Sequence, residues 1–393
     1  MHLEIPDVNA GSPSIPPPAR RSHELRVRPT EARIDTGALG HNLREVRRCA
    51  PTARVMAVVK ADGYGHGGIL SARAFEEAGA DWLGVALVEE GVELRRAGLV
   101  RPILVLGAQY TDYGLLLKYR LTPLVYRADQ LDALEAAGRM AGMVLDAHVK
   151  LDTGMGRIGV QPADFGAFLT HAKSLAHVRL TGLATHFANA DLRDPAHTAR
   201  AVELFQTGRR AMVEQGFPLE LAHLANSAAV MDLPATHFDM VRPGLMLYGA
   251  APAPRFSGLA NLKPALSWVT AFSHVKKVAA GTPISYGHKW VARRESLIGT
   301  LPVGYADGVR RSLTNVGVVL AGGKRCGIAG TVCMDMMMVD ITDVPEAKIG
   351  DEVVLIGAQG HEQIDAHEVA DRCGTIPYEI FCNISARVPR VAV

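Results

Sequence analysis

The residues with the clearest chemical potential stand at the end of a short apolar run, Val55–Val59. Lys60 closes this run, and the glycine-rich loop Ala61-Asp62-Gly63-Tyr64-Gly65-His66-Gly67 follows it. A lysine at the end of a buried strand is costly to desolvate while charged, and its neutral amine is the nucleophile that forms Schiff bases. The glycines let the backbone approach a ligand closely. Lys60 is therefore a candidate covalent anchor for a carbonyl group, against the commoner alternative of a lysine that points into solvent.

Polar residues also stand at the ends of later apolar runs. They are Lys150, Asp152 and Arg157, then His186, then Asn226-Ser227, and finally Arg242-Pro243-Gly244. Small hydroxyl residues and glycines that follow late barrel strands often bind phosphate, which makes Ser227 and Gly244 candidates for that role. The structural alternatives are a helix N-cap for Ser227, a turn for Gly244 and an ordinary surface cation for Lys150.

The elements that would position these residues alternate between about residues 55 and 245. Eight apolar runs rich in Val and Ile are separated by helical patterns such as Ser71–Ala78 and Thr198–Glu214. This alternation predicts βα units around a parallel sheet, and eight units close a TIM-type (β/α)8 barrel; a doubly wound open sheet is the alternative. The predicted runs are Val55–Val59, Trp82–Leu87, Pro102–Leu106, Leu121–Tyr126, Asp146–Leu151, Arg179–Thr185, Leu219–Ala225 and Phe238–Val241.

The pattern changes from about residue 264 to short β-type runs separated by turns, which predicts a mostly-β C-terminal domain over 264–393. Pro264 is a plausible hinge, and a helix is predicted over Ala366–Cys373. Residues 1–24 are rich in proline and contain no apolar stretch of the length of an export signal, so we predict a flexible leader before a barrel domain over 25–263.

The composition argues against several classes of partner. The 393 residues contain 42 Lys and Arg against 40 Asp and Glu, and no block of like charge suits nucleic acid or anionic lipid. No apolar stretch is long enough to cross a membrane. The five cysteines show no spacing typical of a zinc site, so we expect no metal and a reduced, cytoplasmic setting.

The segment Ala57–Gly67 resembles the cofactor-lysine signature of the alanine racemase family. Further matching motifs cover about residues 31 to 390: Lys150–Arg157, Thr185-His186-Phe187, Asn226-Ser227, Arg242-Pro243-Gly244, Ser285-Tyr286-Gly287, Gly304–Gly308, Cys333-Met334-Asp335 and Ile376–Glu379. The resemblance implies a (β/α)8 barrel joined to a β domain, with pyridoxal 5'-phosphate as cofactor. It also implies a homodimer whose active sites borrow residues from the partner's β domain, and an early strand near Ala32–Ile34 that pairs with the C-terminal domain.

Racemisation removes the Cα proton on one face and returns a proton on the other, which two opposed bases accomplish directly. By resemblance these bases are Lys60 and Tyr286, and His186 and Arg242 form the neighbourhood that makes the phenol of Tyr286 a usable base. Arg242 would also face the pyridine nitrogen of the cofactor. An always-charged guanidinium cannot readily protonate that nitrogen, so we expect little transamination.

The resemblance gives the remaining residues supporting roles. Arg157 would contact the cofactor and the substrate carboxylate, and Lys150 would orient Arg157. In some relatives the lysine at this position is carbamylated, and the sequence leaves both states of Lys150 open. Without the family, each tyrosine among these residues would be more simply a packed residue with a satisfied hydroxyl. The other assignments are Tyr64, Ser227, Gly244 and Tyr378 to the phosphate, Asn226 beside them, the Met334 N–H to the substrate carboxylate, Tyr305 to the entrance, and Asp335 to structural support.

The reaction implied is interconversion of L-alanine and D-alanine, with D-alanine supplied to peptidoglycan. One rival is a broader or serine-specific racemase, since His288-Lys289-Trp290 beside Tyr286 is bulkier and more basic than the family pattern suggests. A non-catalytic pyridoxal-phosphate carrier would have no use for Tyr286 or the β domain. A related decarboxylase would place a cysteine or an acid, not a tyrosine, opposite Lys60.

Overall fold

A parallel, nearly closed barrel forms the first part of the computed structural model, which describes residues 27–107, 113–192 and 194–393; the predicted leader lies outside the described residues. Strand β1 (Glu31–Ile34) stands apart from this barrel. The barrel strands are β2 (Arg54–Val58), β3 (Trp82–Val85), β4 (Ile103–Val105), β5 (Leu121–Val125), β6 (Leu145–Lys150), β7 (Val178–Ala184), β8 (Leu221–His223) and β9 (Met240–Val241). From β2 to β8 neighbouring strands pair in parallel in chain order, and β9 pairs in parallel with β2. The predicted eight-stranded barrel is confirmed.

The gap between β8 and β9 is bridged by two backbone hydrogen bonds, from Asp239 to Ala222 and from Arg242 to Ala225. The barrel strands read as continuous apolar runs because both of their faces are covered, by helices outside and by packed side chains inside. In β2, for example, Val55, Met56, Ala57 and Val58 are all buried. Because both faces are buried, the number of apolar runs in the sequence equals the number of barrel strands.

Most of the helices lie between successive barrel strands, and some have recognisable caps. Asp35 accepts a hydrogen bond from Ala38 N at the start of the first helix, and Gly142, with φ of 65°, ends the sixth. None of the helices within the described ranges is long and apolar enough to cross a membrane. The helices of this first part of the chain are α1 (Thr36–Cys49), α2 (Lys60–Tyr64), α3 (Gly68–Glu77), α4 (Val88–Arg96), α5 (Tyr113–Lys118), α6 (Ala128–Ala141), α7 (Phe165–Lys173), α8 (Pro195–Glu214) and α9 (Ser227–Asp232).

The second part of the chain is mostly β, as predicted. Its strands are β10 (Leu266–Ala271), β11 (His274–Val278), β12 (Pro283–Ile284), β13 (Trp290–Val291), β14 (Ser296–Leu301), β15 (Val318–Ala321), β16 (Lys324–Gly327), β17 (Met337–Asp340), β18 (Glu352–Gln359), β19 (Glu362–Ile364) and β20 (Arg390–Ala392). Helices α10 (Ala366–Cys373) and α11 (Pro377–Asn383) precede β20. The main sheet has the order β16-β15-β18-β10-β1-β20, so the early strand pairs with the C-terminal domain, Ala32 opposite Trp268.

The two parts of the chain meet beside Lys60. Arg390 of β20 donates a hydrogen bond to the carbonyl of Gly65 at 2.8 Å. A Cβ at Gly65 would lie 2.1 Å from the carbonyl oxygen of Phe381 in α11. The loop after Lys60 therefore packs directly on the C-terminal domain, and only a glycine at position 65 permits that approach.

Candidate active site

A cavity of about 830 Å³ opens at the C-terminal ends of the barrel strands. Its polar lining comes from the ends of β2, β6, β7 and β9, from the start of α9, and from α11 of the second domain. Ten of the residues predicted for the site line this one cavity: Lys60, Tyr64, Lys150, Arg157, His186, Asn226, Ser227, Arg242, Gly244 and Tyr378. Side chains more than a hundred residues apart in the chain thus share one chamber.

Lys60 stands at the entrance of a left-handed turn. Ala61, Asp62 and Tyr64 have positive φ without being glycine, an arrangement that costs free energy and needs support from neighbours. Glu90 supplies part of that support, since one of its carboxylate oxygens accepts a hydrogen bond from Ala61 N at 2.6 Å. Burial lowers the pKa of the Lys60 amine, and the nearby Arg157 cation lowers it further. The amine is therefore more nucleophilic than that of an exposed lysine.

Lys150 ends β6 with its side chain buried at 4 % exposure, which excludes the surface-cation alternative. Burial and then Arg157 lower its pKa to about 8. Arg157 stands on the loop after β6, and the carboxylate of Asp152 shapes that loop by accepting hydrogen bonds from Gly154 N and Gly156 N at 3.0 and 3.1 Å. Two basic groups therefore face the cavity from one loop and one strand end.

Arg242 is held inside the barrel by neutral acceptors. It donates to the backbone carbonyl of His223 at 2.6 Å, to His223 Nδ1 at 2.9 Å and to His186 Nδ1 at 3.3 Å. A guanidinium can only donate, so both Nδ1 atoms accept and each Nε2 carries the proton. The Nε2 atom of His223 then donates to His148 Nδ1 at 2.9 Å. Burial, with Arg242 nearby, lowers the pKa of His186 and of His223 well below 6.5.

Ser227 and Gly244 form a small cradle with Tyr64. The Ser227 hydroxyl accepts a hydrogen bond from Gly244 N at 2.9 Å, and a Cβ at Gly244 would lie 2.2 Å from the Tyr64 hydroxyl. Gly244 has a negative φ of −119°, so no left-handed turn requires glycine here, whereas the close approach of Tyr64 does. The N-cap alternative for Ser227 also fails, because the cap of α9 is Asn226, whose side chain accepts from Ala229 N.

The other predicted residues lie outside this cavity, on an exposed face of the second domain. Tyr286, Met334 and Tyr305 are 73 %, 53 % and 42 % exposed. Hydrogen bonds join their segments: Tyr305 N donates to Cys333 O, and the Thr331 hydroxyl donates to Tyr286 O. Asp335 forms an ion pair with Arg387 at 2.8 Å. Within one chain, the structure does not bring Tyr286 and Lys60 into one pocket.

Several contacts of the site were missed at the sequence level. His148 and His223 extend the Arg242 contacts into the barrel interior, and a histidine within each of two apolar runs was the available signal. Asp307, fully buried, accepts from Gly304 N at 3.0 Å and pairs with Arg28 at 2.8 Å, which fixes the loop of Tyr305. The described part of the chain contains no cluster of His, Cys, Asp and Glu suited to a metal ion.

Fold and site together define an enzyme of the barrel-plus-β-domain class, with a lysine of lowered pKa in a strongly basic cavity. The chain matches the models "Alanine racemase, N-terminal domain" over residues 34–252 and "Alanine racemase, C-terminal domain" over residues 265–392. The chain belongs to the alanine racemase family, whose members are isomerases.

Individual relatives agree with this assignment. Alanine racemases of Halothermothrix orenii and Symbiobacterium thermophilum are each 46 % identical, over 93 % of this chain and 97 % of theirs. The crystal structure of the alanine racemase from Streptomyces lavendulae has a TM-score of 0.89 at 38 % identity, covering 93 % of this chain and 97 % of that one. The Bacillus anthracis enzyme, solved with bound L-Ala-P, has a TM-score of 0.86 at 35 % identity, covering 93 % and 95 %.

Proposed function

We propose that the protein interconverts L-alanine and D-alanine with pyridoxal 5'-phosphate as cofactor. The observation that carries this proposal is Lys60, an amine of lowered pKa in the cavity that also holds the Ser227–Gly244 cradle. Similarity to enzymes named alanine racemase supports the choice of substrate.

The cavity suits a group that carries both a phosphate and an aldehyde. Among the described residues, four basic side chains line it, Lys60, Lys150, Arg157 and Arg242, against the single carboxylate of Asp191. Such an excess of positive charge favours an anionic ligand. Ser227, Gly244 N–H, Tyr64 and Tyr378 would hold the phosphate, with Asn226 fixing the start of α9 beside them, and Lys60 would hold the group covalently. When bound, the cofactor supplies the electron-withdrawing ring that acidifies the Cα proton of an attached amino acid.

The residues of the chain would then handle the substrate and its protons. The Lys60 Nζ atom takes or returns the Cα proton on one side, and the phenolic oxygen of Tyr286 does so on the other. His186 accepts from Arg242 at Nδ1, so its Nε2–H is available to stabilise a phenolate. Arg157, oriented by Lys150, would bind the substrate carboxylate. Among the described residues no group accepts a hydrogen bond from Met334 N–H, which leaves it available for that carboxylate too.

These roles require a homodimer in which Tyr286, Tyr305 and Met334 of the partner subunit complete the cavity, with Asp335 supporting their face. Tyr286, Met334 and Met336 are exposed apolar side chains on segments joined by hydrogen bonds, as on a surface that another protein covers. We further propose a cytoplasmic setting, supported by five free cysteines, and supply of D-alanine to peptidoglycan, supported by the family resemblance.

The decisive experiment incubates the purified protein with L-alanine in deuterium oxide. Formation of D-alanine and deuterium incorporation at Cα are followed in wild type, Lys60→Ala and Tyr286→Phe. Lys60→Ala should lose both signals together with the absorption band of the bound cofactor. Tyr286→Phe should lose racemisation and keep slow Cα exchange of one enantiomer, because Lys60 still reaches one side.

Lys118→Ala and Tyr119→Phe serve as matched controls, since neither residue lines the cavity. Wild-type protein that shows neither D-alanine nor exchange contradicts the proposal, and full racemisation by Tyr286→Phe contradicts the assignment of the second base. Parallel rates with serine and lysine separate an alanine racemase from the broader enzyme.

A further inference from the structure

The loop that carries Tyr286 has a strained backbone. It joins β12 to β13 and contains five residues, 285–289, of which Ser285, Gly287 and His288 have φ of 66°, 71° and 48°. Ser285 combines its φ of 66° with a ψ of −178°, a region occupied almost only by glycine. A serine in that conformation is retained only where its surroundings impose it, and such residues cluster at functional sites.

Polar side chains hold this strained loop through hydrogen bonds to the neighbouring segments. The Ser285 hydroxyl donates to Thr331 O at 2.6 Å, and the Thr331 hydroxyl donates to Tyr286 O at 2.7 Å. Asn315 donates to Lys289 O at 2.8 Å and accepts from Gly330 N at 2.7 Å. A Cβ at Gly330 would lie 2.5 Å from Ile284 O, so the two segments are in direct contact. Both ends of the loop are thereby fixed to the segments at residues 315 and 330–331.

We propose that Thr331 and Ser285 are positioning residues for the phenol of Tyr286. Tyr286 is 73 % exposed, and its hydroxyl has no hydrogen-bond partner among the described residues. The direction of its phenol therefore depends on the main chain at Ser285 and Tyr286, which the hydroxyl groups of Ser285 and Thr331 hold against the Thr331 segment. A proton carrier misplaced by about 1 Å can lose roughly a hundredfold in rate. The inference rests on the proposed function, in which Tyr286 is the second base.

The first test compares Thr331→Val with Thr331→Ser and with the control Thr270→Val. Thr331 and Thr270 are both 2 % exposed, and replacement by valine removes a hydroxyl hydrogen bond at each position. The hydroxyl of Thr270 bonds to Thr30, away from the loop. Thr331→Val should lower kcat at least about tenfold with KM and cofactor affinity within about twofold. Thr331→Ser should recover most of the rate. Thr270→Val should match the loss in Tm without the loss in kcat.

Isotope effects supply a readout that a purely structural role would not move. The two enantiomers are equal in free energy, so kcat/KM must fall equally in both directions and cannot report which base is misplaced. In Thr331→Val the transfer at Tyr286 becomes slower than that at Lys60. The Cα-deuterium isotope effect should therefore rise for the enantiomer that delivers its proton to Tyr286 and fall for the other.

Ser285 gives a second, independent variant pair. Ser285→Ala removes the hydroxyl and keeps the strained Cβ, whereas Ser285→Gly removes both. Ser285→Gly should melt about 1–3 °C above Ser285→Ala and yet be the less active of the two, because relief of strain frees the loop. If Ser285→Gly is no more stable than Ser285→Ala, the strain argument fails.

The outcomes separate the inference from the proposed function. Wild-type kcat or unchanged isotope effects in Thr331→Val overturn the positioning role, as does a kcat loss that Thr270→Val reproduces or that Thr331→Ser does not rescue. If Thr331→Val fails to fold, Ser285→Ala carries the same kinetic test. Full activity of Tyr286→Phe instead overturns the assignment of Tyr286 itself, and this inference falls with it.

Discussion

Gly244→Ala tests the cradle directly. The added Cβ would lie 2.2 Å from the Tyr64 hydroxyl and 2.8 Å from its ring carbon, so the hydroxyl has to retreat by about 1.2 Å to reach an ordinary contact of 3.4 Å. Tyr64 is buried and stacked on Tyr248 with ring centroids 5.0 Å apart, which leaves it little freedom to move. Overpacking of this kind costs about 1–3 kcal/mol.

We expect that cost to appear in cofactor affinity, because Tyr64 and Gly244 N–H both belong to the proposed phosphate site. A penalty of 1–3 kcal/mol corresponds to a Kd for pyridoxal 5'-phosphate raised about 5- to 150-fold. Titration of the apoprotein with the cofactor, followed by absorbance, measures it. Gly166→Ala is the matched control, since a Cβ there meets nothing within 4 Å, and it should bind the cofactor as wild type does.

A double variant separates the clash from a general loss of stability. Tyr64→Phe removes the atom at 2.2 Å and leaves the milder contact at 2.8 Å, so Gly244→Ala/Tyr64→Phe should regain part of the Tm lost by Gly244→Ala. Cofactor affinity should stay low, because the hydroxyl is absent. Wild-type affinity in Gly244→Ala, with or without a change in Tm, would refute the cradle as the phosphate site.

Three further expectations concern residues of the barrel. Arg242→Glu should raise the ratio of transamination to racemisation, measured as pyruvate against D-alanine, since a carboxyl group can protonate the ring nitrogen; an unchanged ratio contradicts this role. In CO2-free buffer, apo Lys150→Met should be more stable to urea than wild type at pH 7, and this advantage should shrink above pH 8. In the folded protein Lys150, with a pKa of about 8, loses its charge above pH 8, and with it the cost of burying that charge. In the unfolded chain it stays charged to about pH 10.5, so a stability difference that does not change with pH contradicts this explanation. Gly182→Ala, whose Cβ would lie 2.4 Å from the His148 ring, should lower the free energy of unfolding by about 1–3 kcal/mol in chemical denaturation, and no loss contradicts the packing.

The sequence predicted the barrel because parallel strands covered on both faces appear as uninterrupted apolar runs. The boundaries were less accurate: Trp82–Leu87 was predicted, and β3 ends at Val85. The left-handed turn after Lys60 was not predicted, since Ala61 and Tyr64 adopt positive φ only under the constraint of their neighbours. Local preference cannot reveal a conformation that tertiary contacts impose.

Some polar residues of the site could be predicted from the sequence and others could not. Lys60 and Arg242 could be identified because each ends an apolar run and belongs to a recognisable motif. The contact between His148 and His223 could not be predicted, although each histidine is visible inside an apolar run. A histidine in such a run carries no mark of its partner, and their 2.9 Å contact joins residues 75 positions apart. In the proposed homodimer a second chain would set the distance between Tyr286 and Lys60, and no pattern within one chain encodes that distance.

The charge balance of the cavity explains why its basic groups differ in protonation. Arg157 and Arg242 keep their charge, since a guanidinium loses its proton only at very high pH, and even the buried Arg242 has a pKa of about 10. The cost of crowding positive charge then falls on the groups that can release a proton, and burial beside the two arginines lowers the pKa of Lys60, Lys150 and His186. Burial and two fixed cations thus favour the neutral forms of Lys60 and His186, which are the forms that a nucleophilic amine and a neutral hydrogen-bond donor require. A bound phosphate would oppose this effect on Lys60, because a nearby anion favours the charged amine.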